Sequence, residues 1–182
     1  LRYPELVFSA PKKSGKTAIA AAIGEWAAEE FPVGTEIYTL ANDQEQNEGR
    51  VYKDIAFHVK HVGLARPLKF RIQYPNDTYI QAIAKEYKSA AGSRHSMTLW
   101  DELWGYDDER ARRLWAEMTP IPTVPYSLRI VATYAGFEGI GLLWDLYNTV
   151  VTNGEPVPEL AHLVDAFGRP VCWRKGRMFA YW

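Results

Sequence analysis

Apolar and polar positions change their spacing along the chain in a way that separates strands from helices. Leu6-Val7-Phe8 is a short apolar run ending in Ser9-Ala10-Pro11, the pattern of a buried strand entering a loop. Over residues 15–31 a helical period links Ile19, Ile23, Trp26, Ala27 and Glu30, alanines lower the cost of the helix, and Pro32 and Gly34 end it. Residues 36–40 predict the next strand. A second helix, capped by Asn42 or Asp43, sets Val51, Ile55, Val59 and Val62 on one face and breaks within 63–67. Residues 69–73 and 78–84 predict short strands around the turn-forming Pro75-Asn76-Asp77. Strands at 97–100 and 127–132 and helices at 107–118 and 142–151 follow. Residues 170–173 and 178–182 predict a closing hairpin that turns at Lys175-Gly176. Strands alternating with helices define an α/β fold, a mostly parallel sheet with helices on both faces and a short C-terminal hairpin.

Composition narrows the function classes. At 182 residues, 47% hydrophobic and 24% charged, the chain fits one folded domain rather than a disordered segment. Lys and Arg number 21 against 22 Asp and Glu, and the net charge of -1 excludes a strongly basic nucleic-acid wrapper. Cys172 has no cysteine to pair with in the chain, which fits a reducing compartment. No run reaches the ~18 apolar residues of a membrane span, and no leader pattern opens the chain. A soluble intracellular protein is expected.

The strongest chemical signal is Ala10-Pro-Lys-Lys-Ser-Gly-Lys-Thr17, between a predicted strand and an alanine-rich helix. It fits the phosphate-binding pattern G-x-x-x-x-G-K-[ST] except that Ala10 replaces the first glycine. Backbone N–H groups of Pro11 to Thr17 (Lys12, Lys13, Ser14, Gly15 and Lys16 among them) must converge on phosphate oxygens, and Pro11 itself supplies only a carbonyl. Gly15 permits close approach, Lys16 reaches the β- and γ-phosphates, and the Thr17 hydroxyl can ligate Mg²⁺. The second signal is Met97-Thr-Leu-Trp-Asp-Glu102, a strand ending in two carboxylates. Asp101 would hold the metal and Glu102 would polarise the attacking water. Trp104, just beyond, suits the mouth of such a site. A third feature, Val131-Ala-Thr-Tyr-Ala-Gly136, runs from a strand into a small-residue turn where a hydroxyl could sense the γ-phosphate. Together they define a P-loop NTPase of the RecA-like, ASCE type, with an added strand between the two nucleotide motifs. Its ligands would be ATP and Mg²⁺. Arg2 and Tyr3 are the candidates for adenine contact. His58 and His61 show no ligand pattern.

These pieces resemble the ATPase domain of phage terminase large subunits. The resemblance rests on Pro11-Lys-Lys-Ser-Gly-Lys-Thr17, Ala41-Asn-Asp-Gln-Glu-Gln46, Leu99-Trp-Asp-Glu-Leu103, Ala132-Thr-Tyr-Ala-Gly136 and Phe179-Ala-Tyr-Trp182, in family order along nearly the whole chain. It implies an ATPase that drives double-stranded DNA into a viral capsid in the cytoplasm of the infected bacterial host. A capsid portal, a small terminase subunit and a homo-oligomeric ring would be its partners. The family's coupling motif falls on Thr133, Tyr134, Ala135 and Gly136. The implied division is an ATPase domain over 1–160, with 161–182 a linker and hairpin leading toward a nuclease domain not visible in this sequence. No nuclease activity is expected of the fragment. Terminases often carry an arginine where this chain has Lys12, and an Arg-Gly pair where it reads Ala91-Gly92. The charge that stabilises the transition state therefore falls to Lys12 in cis or, preferably, to Arg94 in trans, because the planar guanidinium suits a transferring phosphoryl group better. Other readings of the same motifs are a helicase fragment, a small-molecule kinase with Arg110, Arg112 and Arg113 as its lid, and a nucleotide-binding module without turnover.

Overall fold

The computed structural model describes residues 2–40, 49–83 and 92–182. The cap expected at Asn42 or Asp43, the segment 41–46 and Ala91 lie outside the described residues. The elements are β1 (Glu5–Ser9), α1 (Lys16–Glu30), β2 (Glu36–Leu40), α2 (Arg50–Val62), β3 (Arg66–Pro67), β4 (Arg71–Gln73) and β5 (Tyr79–Ile83). They continue with β6 (Met97–Asp101), α3 (Glu109–Glu117), β7 (Leu128–Thr133), α4 (Gly141–Tyr147), β8 (Glu155–Pro156), β9 (Cys172–Lys175) and β10 (Met178–Tyr181).

Among the described residues these strands form one sheet in the order β3-β4-β5-β2-β6-β7-β1-β10-β9-β8. The central block from β5 to β10 is parallel, and antiparallel strands close both edges. β7 lies between β1 and β6, so the expected extra strand does separate the two motif-bearing strands. The closing hairpin is built into this sheet, with Val7 of β1 paired to Val131 on one side and Ala180 on the other.

Alternation along the parallel strands sends side chains to both faces, and both are covered. Ile37, Met97, Leu99 and Ile130 pack under α1 and α2; Leu40, Trp100 and Val131 pack against α3 and α4. Each large side chain removed from water in this way contributes about 1.5–3 kcal/mol.

The helices depart from expectation in instructive places. On α1 the buried face is Ala20, Ala21, Ala27 and Ala28, while Ile19 and Trp26 stand about half exposed. Small side chains let the helix lie close on the sheet, so the bulkier period marks the outer face. On α2, Val51, Ile55 and Val59 are buried with Tyr52, but Val62 is exposed because Gly63 caps the helix in the left-handed region (φ 72°) and turns the chain away. The last predicted helix is shorter, ending at Tyr147 and continuing as a π turn over Asn148–Thr152.

Candidate active site

Parallel strands bring their carboxyl ends to one edge of the sheet, where loops after different strands can meet. Here the meeting is fixed by backbone hydrogen bonds. Ala10 N donates to Thr133 O (3.1 Å) and Glu102 N donates to Ala132 O (3.0 Å). The loop after β1, the acidic pair ending β6 and the turn after β7 are thereby drawn into one place.

In the first loop Lys13 (φ 66°) and Gly15 (φ 82°) are left-handed, and α1 starts immediately afterwards. Glycine takes this conformation without strain, whereas Lys13 bears about 1–2 kcal/mol. Such a turn opening a helix is a concave array of backbone N–H groups suited to an anion. Lys16 is 6% exposed, and its Nζ donates to the Pro11 carbonyl at 2.9 Å, so Pro11 supports the lysine rather than lining the cavity. The cavity beside the loop measures about 660 Å³ and is lined by Lys12, Lys13, Ser14, Gly15, Lys16, Thr17, Ala18, Arg50, Asp54, Glu102, Trp104 and Tyr134.

Asp101 ends β6 and is 5% exposed. Burial first, and then the neighbouring Glu102 carboxylate, push its carboxyl up to about 6; Arg50 and Lys16 pull it back in smaller measure. Its Oδ1 has no hydrogen-bond partner among the described residues. Glu102 is left-handed (φ 55°, ψ 49°), a conformation that costs a non-glycine residue about 1–2 kcal/mol and that collects at functional sites. Its Oε2 accepts a hydrogen bond from Trp104 Nε1 at 2.5 Å.

The third loop divides its duties. Thr133 is fully buried and its hydroxyl donates to the Tyr134 carbonyl (3.1 Å), so it faces the interior while Tyr134 reaches the cavity. Lys12 Nζ and Lys16 Nζ lie 4.7 and 5.6 Å from the Tyr134 ring centre. Ala135 and Gly136 border a separate groove of about 190 Å³ with Phe137, Trp144, Tyr147 and Trp182.

Two expected groups stand elsewhere. Arg94 is exposed and precedes β6, at the amino end of a strand whose carboxyl end carries Asp101, so this chain's own cavity does not include it. Arg2 pairs with Glu159 (3.8 Å) and Tyr3 packs on Phe179, ahead of β1 and away from the loop that follows it. One residue was missed. Arg50 opens α2, lines the cavity and acts electrostatically on Asp101. Its signal was a cation at a helix start with no acidic residue in the first turn, a placement the helix dipole disfavours unless an anion offsets it.

Four cations, Lys12, Lys13, Lys16 and Arg50, thus face a cavity that two acidic groups, Asp54 and Glu102, also line, with the buried Asp101 next to Glu102 in the chain. This distribution suits a polyanion accompanied by a divalent cation. Among the described residues no three His, Cys, Asp or Glu side chains converge as a metal cage. The ion that fits such a place takes one or two protein oxygens and completes its shell with phosphate and water, as magnesium does.

The Gly15-Lys16-Thr17 turn opening α1, with an acidic strand two places away across β7, gives the chain the P-loop NTPase fold, a mixed, mostly parallel sheet. Within that class its fold is that of the ATPase domain of phage large terminases. The HK97 bacteriophage large terminase matches with a TM-score of 0.66 at 18% identity, over 83% of this chain and 33% of that one. A large terminase from a thermophilic bacteriophage, solved in complex with ADP, matches with a TM-score of 0.54 at 12% identity, over 73% of this chain and 33% of that one. The ATPase domain of the Thermus phage P74-26 large terminase matches with a TM-score of 0.51 at 14% identity, over 75% of this chain and 62% of that one. The chain spans about a third of the length of the first two. No family model and no curated protein matches it.

Proposed function

We propose that the chain is a Mg²⁺-dependent ATPase whose hydrolysis of ATP to ADP and phosphate powers translocation of double-stranded DNA into a viral capsid. The observation that carries the reading is the pairing, across one cavity, of the Lys16–Thr17 loop with a buried carboxylate whose Oδ1 lacks a partner. The likeness to terminase structures, one of them an ADP complex, supports the nucleotide.

The residues present fit magnesium: Thr17 and Asp101 would hold it, the orphaned Oδ1 being the oxygen left for the ion or its water. When bound, the ion would offset the charge of the transferring group. The chain's own residues do the rest. Loop N–H groups and Lys16 orient the phosphates, and Glu102 takes the proton from the attacking water. Lys12 and Arg50 add positive charge in cis. Arg94 belongs in a neighbour's site, which implies a homo-oligomeric ring working with a portal and a small subunit in the infected cell. Residues 161–182 would lead toward a nuclease domain in a longer protein, and DNA cleavage is not assigned to the ATPase fragment.

Lys16→Ala should weaken ATP binding and abolish turnover. Glu102→Gln should bind normally but hydrolyse about 10²–10⁴-fold more slowly. Both are read as phosphate release at excess ATP, with and without duplex DNA. Normal single-turnover hydrolysis by Glu102→Gln would remove that residue from the mechanism. ATP-driven strand separation would instead favour a helicase. Mixing Arg94→Ala with Glu102→Gln chains should restore activity, and failure of that rescue would return the task to Lys12 or Arg50.

A further inference from the structure

The Glu102 backbone is pinned on both sides. Its N–H donates to Ala132 O at 3.0 Å, and its carbonyl accepts from Gly105 N at 3.1 Å within a tight 3-10 turn, Leu103–Gly105. With φ and ψ fixed, the place of the carboxylate depends on side-chain torsions alone. Trp104 settles them by donating its indole N–H to Oε2, which leaves the other oxygen for chemistry.

The indole is itself held. Its ring centre lies 5.5 Å from that of Tyr134, and a Cβ added at Gly136 would come within 3.1 Å of Trp104 Cβ. A side chain at 136 would crowd the tryptophan, which would have to give by a few tenths of an ångström. On the cavity side of Tyr134 stand the two lysines, Lys12 Nζ at 4.7 Å and Lys16 Nζ at 5.6 Å. A continuous line of contacts therefore runs from the phosphate-binding lysines through Tyr134 and Trp104 to Glu102.

We propose that Trp104 is a positioning residue for Glu102, and that Tyr134 makes its hold respond to what Lys12 and Lys16 bind. This rests on the reading of Glu102 as the base and the loop as the phosphate site. An ammonium attracted to a ring face is held weakly, whereas charge-assisted hydrogen bonds to phosphate are among the strongest in proteins. A phosphate that engages the lysines loosens their grip on Tyr134, and the indole packed against it shifts with the carboxylate it carries.

Two variants and one spectrum test this. Trp104→Phe keeps an aromatic ring against Tyr134 but removes the N–H. Its kcat should fall about 10–100-fold, with the KM for ATP and the Kd for ADP within about twofold of wild type. Tyr134→Leu should lower kcat less and, because the ring competes with phosphate for the lysines, lower the KM for ATP slightly, and the kcat of the double variant should be no lower than that of Trp104→Phe alone. In protein labelled with 5-fluorotryptophan, the ¹⁹F resonance lost in Trp104→Phe should move when ADP is added to wild type and stay in place in Tyr134→Leu. A Trp104→Phe enzyme with wild-type kcat, beside an inactive Glu102→Gln, overturns the proposal and leaves the ATPase reading standing. So does a Trp104 resonance that ADP moves equally in Tyr134→Leu. Normal turnover in Glu102→Gln, or no binding of ADP, overturns both. If Trp104→Phe does not fold, Tyr134→Leu decides alone: a kcat equal to wild type refutes the coupling.

Discussion

Both ends of the parallel sheet bury a charge, and they treat it in opposite ways. At the amino end Arg129 of β7 has a side chain only 3% exposed. Its guanidinium donates to Glu5 (3.2 Å), the Trp115 carbonyl (2.7 Å) and Thr119 Oγ1 (3.0 Å), and lies 3.7 Å from the Trp115 ring centre. At the carboxyl end Asp101 is as deeply buried; one of its oxygens lacks a hydrogen-bond partner among the described residues, as Arg129 Nε does, but where Glu5 attracts Arg129 the neighbouring Glu102 carboxylate repels Asp101. A buried charge surrounded by partners holds a fold together. A buried carboxylate set beside a like charge is suited to a cation that arrives from outside.

The sharpest way to break this contrast is to neutralise each charge in turn. Asp101→Asn should lower ATP hydrolysis on the order of 10²–10³-fold while leaving the fold intact and raising its stability in chelator near neutral pH. Parallel loss of both would mean that Asp101 is structural after all. Arg129→Met should do the reverse. Removing one partner of a buried pair costs about 3–5 kcal/mol, read as a lower urea midpoint, with kcat of the folded fraction close to wild type.

Acidity separates the ends more finely. Asp101 has its carboxyl raised from 3.8 to about 6, so its favourable protonated form is fully present below 3.8 and lost as pH rises through 6. Stability from this group alone should fall by about 3 kcal/mol across that window, and Asp101→Asn should abolish the fall. His95, at the amino end, is pushed below its usual 6.5, chiefly by burial and then by Arg129, against a hydrogen bond to the Thr119 carbonyl. Its contribution is present above 6.5 and is lost as pH falls, the opposite slope. In an Asp101→Asn background the remaining acid destabilisation should shrink further on His95→Gln. Urea titrations between pH 4 and 8 in chelator measure both. If the two slopes have the same sign, the contrast between the ends fails.

Much of this was legible in the sequence because local signals were strong. The Gly-Lys-Thr loop sat between a strand and a helix, and the Asp-Glu pair closed an apolar strand, so register alone could bring them together. What stayed hidden depends on three-dimensional proximity. Arg50 was passed over because α2 was read from its apolar stripe, while the polar face at its first turn is what meets the cavity. The bond between Trp104 and Glu102 needs a left-handed glutamate, which no residue pattern announces. α1 was read by bulk when its alanines carry the contact. Arg94, expected to act in trans, stands at the amino end of β6, on the edge of the sheet opposite Asp101.

The position of β10 has a consequence for how the chain is made. β1 carries the loop of Lys12 to Thr17, and it leaves the ribosome ahead of the strands it pairs with. Its neighbours in the sheet are β7 and β10, with Leu6 beside Ile130 and Phe179. Contacts so distant along the chain form slowly, because the loop they close must first be ordered. During synthesis β1 therefore waits with both edges open until β7 has emerged, and with one edge open until β10 has. A chain stalled before β10 would expose the edge of β1, a surface open to pairing with another unfinished copy.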